Sequence, residues 1–193
     1  MNLLYSSHVP VDRNKLAPIA LCAALTAAGS FIKIPLWPVA ITLQTFFVIL
    51  SGIILGPRDA ALSQVVYLIV GLLGLPVFSG GGGLAYLMQP SFGYLIGFMI
   101  APLAVGSLLR NKTLTHKSVF IAALAGTLVI YSIGIPYLAV YMRLVLKKPD
   151  AVNLAIKTGA LVFLPGDLLK CLILAMIAPR LRLRRHPSGM MRP

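Results

Sequence analysis

The stretch Phe163-Leu164-Pro165-Gly166-Asp167-Leu168-Leu169-Lys170-Cys171-Leu172-Ile173-Leu174-Ala175-Met176-Ile177-Ala178 decides how this chain is read. Apart from Asp167 and Lys170 it is apolar. Pro165-Gly166 should end any helix arriving from Ala160 and start a new one. Residues 166–179 would then form a helix of about 21 Å, at ~1.5 Å per residue. That is short of the roughly 30 Å hydrocarbon core of a bilayer, so Asp167 would lie below the membrane surface, inside protein. There it stands at a helix N-terminus, whose partial positive charge favours a carboxylate by about 0.3–1 kcal/mol. Positions i and i+3 share one helix face, so Asp167 and Lys170 can point at one ligand. Charged groups in a membrane are costly, which makes the pair a functional-site hypothesis by default.

Outward from that stretch, the chain reads as lipid-embedded. It has 193 residues, 59% hydrophobic and 11% charged, with a mean hydropathy of +0.92. Soluble domains carry about 25% charged residues. Uncharged runs cover residues 16–32, 34–56, 60–78, 84–109 and 118–141, and residues 161–178 add a sixth candidate helix. The expectation is an all-α integral membrane protein with six transmembrane helices and cytoplasmic N- and C-termini. It would be a single membrane domain over residues 1–193, with a tail at 1–15, a bundle at about 16–179 and a basic tail at 180–193. Arg13 and Lys15 precede an apolar run longer than the roughly 7–15 residues of a signal-peptide core, so that run is read as the first helix.

The net charge of +13 is explained by the membrane and not by nucleic acid. With a cytoplasmic N-terminus, eleven cations fall on the inner side: Arg13, Lys15, Arg58, Arg110, Lys112, Lys117, Arg180, Arg182, Arg184, Arg185 and Arg192. Five fall outside: Lys33, Arg143, Lys147, Lys148 and Lys157. This is the positive-inside bias, with residues 143–157 dissenting. The location implied is the inner (cytoplasmic) membrane, crossed several times.

Small residues line the first run at helical spacing: Ala20, Ala24 and Ala28, with Ala23 and Ala27 alongside. Such stripes let helices approach closely in lipid, either within the chain or against a separate membrane subunit. Pro35 and Pro38 punctuate the start of the second run around Trp37, and Gly56-Pro57-Arg58-Asp59 reads as a tight turn. Gly80-Gly81-Gly82-Gly83 cannot continue a helix cheaply and fits either a lid over a ligand or a linker. The fourth run should be broken or kinked at Pro90, and the fifth should end near Ile133-Gly134-Ile135-Pro136-Tyr137.

Catalysis is poorly supplied. His8, His116 and His186 lie away from the apolar runs, there is no glutamate, and no nucleotide-binding glycine loop occurs. Ser79 has no histidine placed to serve as its base. Cys22 and Cys171 sit in different apolar runs with no metal-ligand spacing. The expectation is a protein that is not an enzyme and binds no metal or cofactor. Binding is better supplied: a carboxylate only accepts hydrogen bonds and an ammonium only donates them, which suits a molecule with paired N–H donors and a carbonyl or carboxylate. The alternative is that Asp167 and Lys170 neutralise each other and hold the helix in place.

Several motifs together resemble the BioY biotin-transporter family. They are Thr42-Leu43-Gln44-Thr45, Gly71-Leu72-Leu73-Gly74-Leu75-Pro76-Val77-Phe78, Pro90-Ser91-Phe92-Gly93-Tyr94-Leu95-Ile96-Gly97-Phe98 and the stretch from Phe163 to Lys170. Phe92 departs from the small residue the family often has there, and the glycine loop is lengthened or shifted. The resemblance implies a six-helix substrate-binding subunit (S component) of an energy-coupling factor transporter. Its partners would be a transmembrane coupling subunit and two ATPase subunits, which use the ATP; members of the family are also proposed to act alone. Biotin would be the ligand, contacted by Asp167 and Lys170. Candidate lining residues are Phe78, Tyr86, Tyr94 and Leu164, with Gln89 and Ser79 as further polar contacts. Gly80, Gly81, Gly82 and Gly83 would form the lid loop, and the alanine stripe of the first run would dock on the coupling subunit. The rival readings are an S component for a different vitamin and a membrane-embedded lipid-modifying enzyme.

Overall fold

Proline and glycine set where the helices of this chain begin and end. The computed structural model describes residues 13–180; most of both expected tails lie outside them. Helix α1 (Arg13–Phe31) leads into two short antiparallel strands, β1 (Lys33–Ile34) and β2 (Ile41–Thr42), with Lys33 opposite Thr42. Helices α2 (Gln44–Leu55) and α3 (Pro57–Leu72) follow, then a 3-10 turn (Leu84–Met88) and α4 (Phe92–Leu109). The long α5 (His116–Leu144) precedes α6 (Ala151–Ile156), a π-helical turn (Lys157–Leu161), α7 (Leu164–Ile177) and a last 3-10 turn (Ala178–Arg180).

Several expectations hold locally. Gly56, at φ +80°, turns the chain directly from α2 into α3, with Pro57 opening the new helix where its missing N–H costs nothing. The run 84–109 is broken around Pro90, and Pro165 sits in the first turn of α7. Two expectations are corrected. Residues 34–56 are not one helix: Pro35 and Pro38 cannot donate backbone hydrogen bonds, so the first part of the run folds as the β1–β2 hairpin and the helix begins only at Gln44. Nor does the fifth helix stop near Pro136, because α5 continues to Leu144. Packing on both sides of Pro136 holds it: the Tyr94 ring lies against Gly134, and Tyr137 lies against Gly93.

Helices α4 and α5 run antiparallel at the centre, close enough that a Cβ on Gly97 would stand 2.9 Å from the Ile130 Cα. Helix α1 packs on α2 and α3, while α7 packs on α5 and α2. The stretches Phe92–Leu109, His116–Leu144 and Ala151–Arg180 are long and apolar enough to cross a membrane; Lys15–Phe31 and Gln44–Leu55 are apolar but shorter. Leu21, Leu128, Leu144 and Leu169 are among many large apolar side chains left exposed, as a lipid-facing surface requires. Two buried clusters divide the interior. The one at the end where α4 and α7 begin is rich in aromatic residues, and the one at the opposite end is aliphatic.

Candidate functional site

The first turn of α7 brings Asp167 inward, because residues 167, 171, 174 and 175 form the buried face of that helix. Asp167 is 4% exposed and is the only buried carboxylate among the described residues. Its Oδ1 accepts from Lys170 Nζ at 2.7 Å and from Thr45 Oγ1 at 3.1 Å. Its Oδ2 accepts from the Tyr131 hydroxyl at 2.6 Å. A carboxylate offers about four lone-pair positions, so Oδ2 retains room for one more donor. Lys170 is used differently: its three N–H groups face Asp167 Oδ1, the Thr42 carbonyl at 2.7 Å and Thr45 Oγ1 at 2.9 Å. Before the ammonium can donate to a ligand, one of these acceptors has to give way.

The cluster forms one wall of a recess holding about 480 Å³ of empty space, part of it open to the outside. Sites for small molecules are mostly apolar with a few convergent polar groups, and this lining has that character. Here the apolar surface comes from Val39 and Ile41 of the hairpin, Leu95 and Phe98 of α4, and Phe163. Tyr94 contributes its ring, since its hydroxyl is spent on the Gly159 carbonyl at 2.8 Å. A second polar patch lies on other elements: Ser79 Oγ, the Tyr86 hydroxyl and Ser91 Oγ form a row with separations of 3.2 and 3.0 Å. Gln44, 3% exposed, donates one amide hydrogen to Tyr67, whose hydroxyl bonds the Val77 carbonyl and so ties α2 and α3 to the chain before the glycines.

Of the residues singled out from sequence, Asp167, Lys170, Tyr94, Tyr86 and Ser79 line this recess together. Phe78 does not. It is 2% exposed, packed between Tyr67 and Tyr86 with its ring against Gly71, and anchors the turn from below. Gln89 and Leu164 are exposed and lie outside the lining. Gly80 to Gly83 are held in a compact turn, in which Phe78 and Gly81 exchange two backbone hydrogen bonds and Gly83 N donates to Gly71 O at 2.7 Å. Gly82 lies so close to the Leu75 carbonyl that no side chain would fit there. On α1 the stripe divides: Ala20, Ala24 and Ala28 are exposed, whereas Ala23 is buried and Ala27 packs against the core.

Sequence reading did not assign Thr42, Gln44, Thr45, Ser91 or Tyr131 to the site. A signal existed for the first three, because they form a polar knot inside an otherwise apolar run. Tyr131 gave none, because its tie to Asp167 spans 36 residues and two helices.

Comparison with known proteins identifies the family. The model of the BioY family matches residues 5–186. The chain is 42% identical over 167 residues to a probable biotin transporter BioY of Lysinibacillus sphaericus, covering 86% of this chain and 85% of that one. It is 41% identical over 165 residues to a probable biotin transporter BioY of Pyrococcus horikoshii, covering 85% and 93%. Its fold matches a crystal structure of the S-component for biotin from an ECF-type ABC transporter with a TM-score of 0.75 and 28% identity, over 88% of this chain and 90% of the other. By sequence and by fold, the chain belongs to the BioY family.

Proposed function

We propose that this chain captures biotin at the outer face of the cytoplasmic membrane, as the S component of an energy-coupling factor transporter. It performs no chemistry of its own; ATP is consumed by two ATPase partners, and a transmembrane coupling subunit joins them to this chain. The observation that carries the reading is Asp167 itself, a buried carboxylate at the wall of a largely apolar recess, tied to Lys170 and Thr45 through Oδ1 and to Tyr131 through Oδ2. Biotin's ureido ring presents N–H donors and a carbonyl on a compact bicycle. Asp167 accepts from a ureido N–H, and Lys170 gives up one present acceptor to reach the ureido oxygen. Tyr94 and Phe163 wall the sulfur ring, and the turn Gly80–Gly83 closes over it.

In this reading residues 16–179 are a single membrane domain crossing six times, the last crossing being the broken rod from Ala151 to Arg180. Lys15, Arg58, Arg110, Lys112, Lys117 and Arg180 lie toward the end away from the recess, which supports cytoplasmic termini. Ala20, Ala24 and Ala28 offer the coupling subunit a surface that two helices can approach closely. The test is equilibrium binding of radiolabelled biotin to the detergent-purified protein, beside folded Asp167→Asn and Lys170→Ala variants. Saturable binding that both substitutions abolish is expected. A folded wild-type protein that ignores biotin would sink the assignment.

A further inference from the structure

The end of the bundle away from the recess carries a cleft of its own. It encloses about 520 Å³ of empty space, part of it open to the outside, where the end of α4 meets the start of α5. Leu108 of α4, Lys112 of the connection, and Thr115, Lys117, Ser118 and Ile121 around the start of α5 line it.

The polar groups of this cleft fall into two kinds. Thr115 and Ser118 are occupied with each other. The backbone N–H of each donates to the other's hydroxyl, Thr115 Oγ1 donates to Ser118 Oγ, and Ser118 Oγ faces the carbonyls of Thr113 and Thr115. Their hydroxyl hydrogens are spent in capping α5. Lys112 and Lys117 are the opposite case: neither ammonium bonds or pairs with another described residue, among which Asp167 and Lys170 form the one ion pair. Asp59, in the first turn of α3, is the one carboxylate at this end among the described residues, and it lies outside the lining. Two cations thus share a cleft with no anion to answer them.

Beyond the cations the surface turns apolar. Ile121 and Leu128 lie four and eleven residues after Lys117, which at about 3.6 residues per turn is the same face of α5. They are 51% and 66% exposed, and Leu108, at 41%, forms the facing wall. The order along this face is charge at the helix start and hydrocarbon toward the middle of the bundle. A phospholipid has the same order, with phosphate at the membrane surface and acyl chain beneath it.

We propose that this cleft binds the headgroup of an anionic phospholipid, with Lys112 and Lys117 on its phosphate and an acyl chain along Ile121 and Leu128. Basic pockets between membrane helices hold such headgroups. A soluble phosphate would satisfy the two ammonium groups but make no use of the apolar stripe that continues the cleft. A lysine acts as a point charge and not as a shaped fork, so the headgroup is selected by net charge. Phosphatidylglycerol fits; phosphatidylcholine brings its own cation against the two lysines. The site stands independently of what the recess binds.

The test is native mass spectrometry of the full-length protein, purified in detergent, stripped of lipid and titrated with phosphatidylglycerol, phosphatidylcholine or inorganic phosphate. Wild type should hold its first phosphatidylglycerol about tenfold more tightly than phosphatidylcholine, the scale of two basic residues at a membrane surface. The double variant Lys112→Gln with Lys117→Gln should lose that preference. Lys15→Gln with Arg58→Gln removes the same charge from the same end outside the cleft and should keep it. All four side chains are exposed, so thermal midpoints should match wild type. Equal binding of the two lipids by wild type overturns the site, as does a preference that survives loss of both cleft lysines. Equal loss in the two double variants overturns it too, since the attraction would then be to the net charge of +13 and not to a cleft. Displacement of the lipid by millimolar inorganic phosphate would make this a site for a free anion and overturn the lipid assignment.

Discussion

The two ends of the bundle are held together by different forces. At the recess end, tyrosines reach across elements: Tyr67 to Val77, Tyr94 to Gly159, Tyr131 to Asp167 and Tyr137 to Leu87. At the far end Ile53, Val105, Leu109, Val119 and Leu174 pack with small alanines. The buried Ser51 and Ser63 there bond carbonyls of their own helices, at Val48 and Ala60. Lipid is as apolar as leucine, so the far end is held by close packing and not by removal from water. The recess end is held by polar bonds of defined geometry. One end is held by apolar packing and the other by directional polar bonds.

Breaking the polar end should give the largest effect. Asp167→Asn removes the carboxylate charge and leaves Lys170 unpaired in a site where its side chain is 11% exposed. Biotin affinity should fall at least about 100-fold, close to 3 kcal/mol, in a radioligand assay on protein that still elutes as a folded species. The counterpart at the far end is Leu174→Ala, at a position fully buried against α5 and α7 neighbours. The void should cost about 2–3 kcal/mol of stability, read as a lower thermal midpoint in detergent, while biotin affinity stays within about twofold. If Leu174→Ala weakens binding as much as it lowers stability, the two ends are not separable and the comparison fails.

How much of this was legible in the sequence follows the same division. Asp167 and Lys170 stood out because charge in an apolar stretch is conspicuous, and the start of α7 was marked by Pro165-Gly166. The break near Pro90 was equally local. The hairpin at Lys33–Thr42 was misread as helix because an apolar run of that length does not reveal that two prolines will divert it. Helix α5 passes Pro136 because Tyr94 and Tyr137 pack beside it, and such contacts between helices leave no trace in local pattern. Tyr131 was missed for the same reason. Phe78 was rightly marked as an aromatic beside the glycines, yet sequence could not tell lining from anchor, a distinction made by its contact with Gly71.

A smaller effect should come from Thr45→Val, which keeps the shape but removes the hydroxyl that donates to Asp167 and accepts from Lys170. The charges remain paired, so biotin affinity should drop only about tenfold, near 1.4 kcal/mol, with stability nearly unchanged. An effect as large as that of Asp167→Asn would mean that the threonine, and not the carboxylate, organises the ligand.

The smallest effect on binding should come from Ala24→Leu, on the exposed face of α1 away from both clusters. Leucine there meets lipid in the isolated subunit, so biotin affinity and thermal midpoint should match wild type. Against a partner helix the added volume blocks the close approach that small residues allow, and packing is the main attraction between helices in lipid. Biotin uptake by cells supplied with the coupling and ATPase subunits should therefore fall, along with co-purification of those subunits. Normal uptake and normal co-purification would move the docking surface off the alanine stripe. A loss of biotin binding by the isolated variant would instead show that α1 communicates with the recess, and that the polar end extends further into the bundle than its hydrogen bonds indicate.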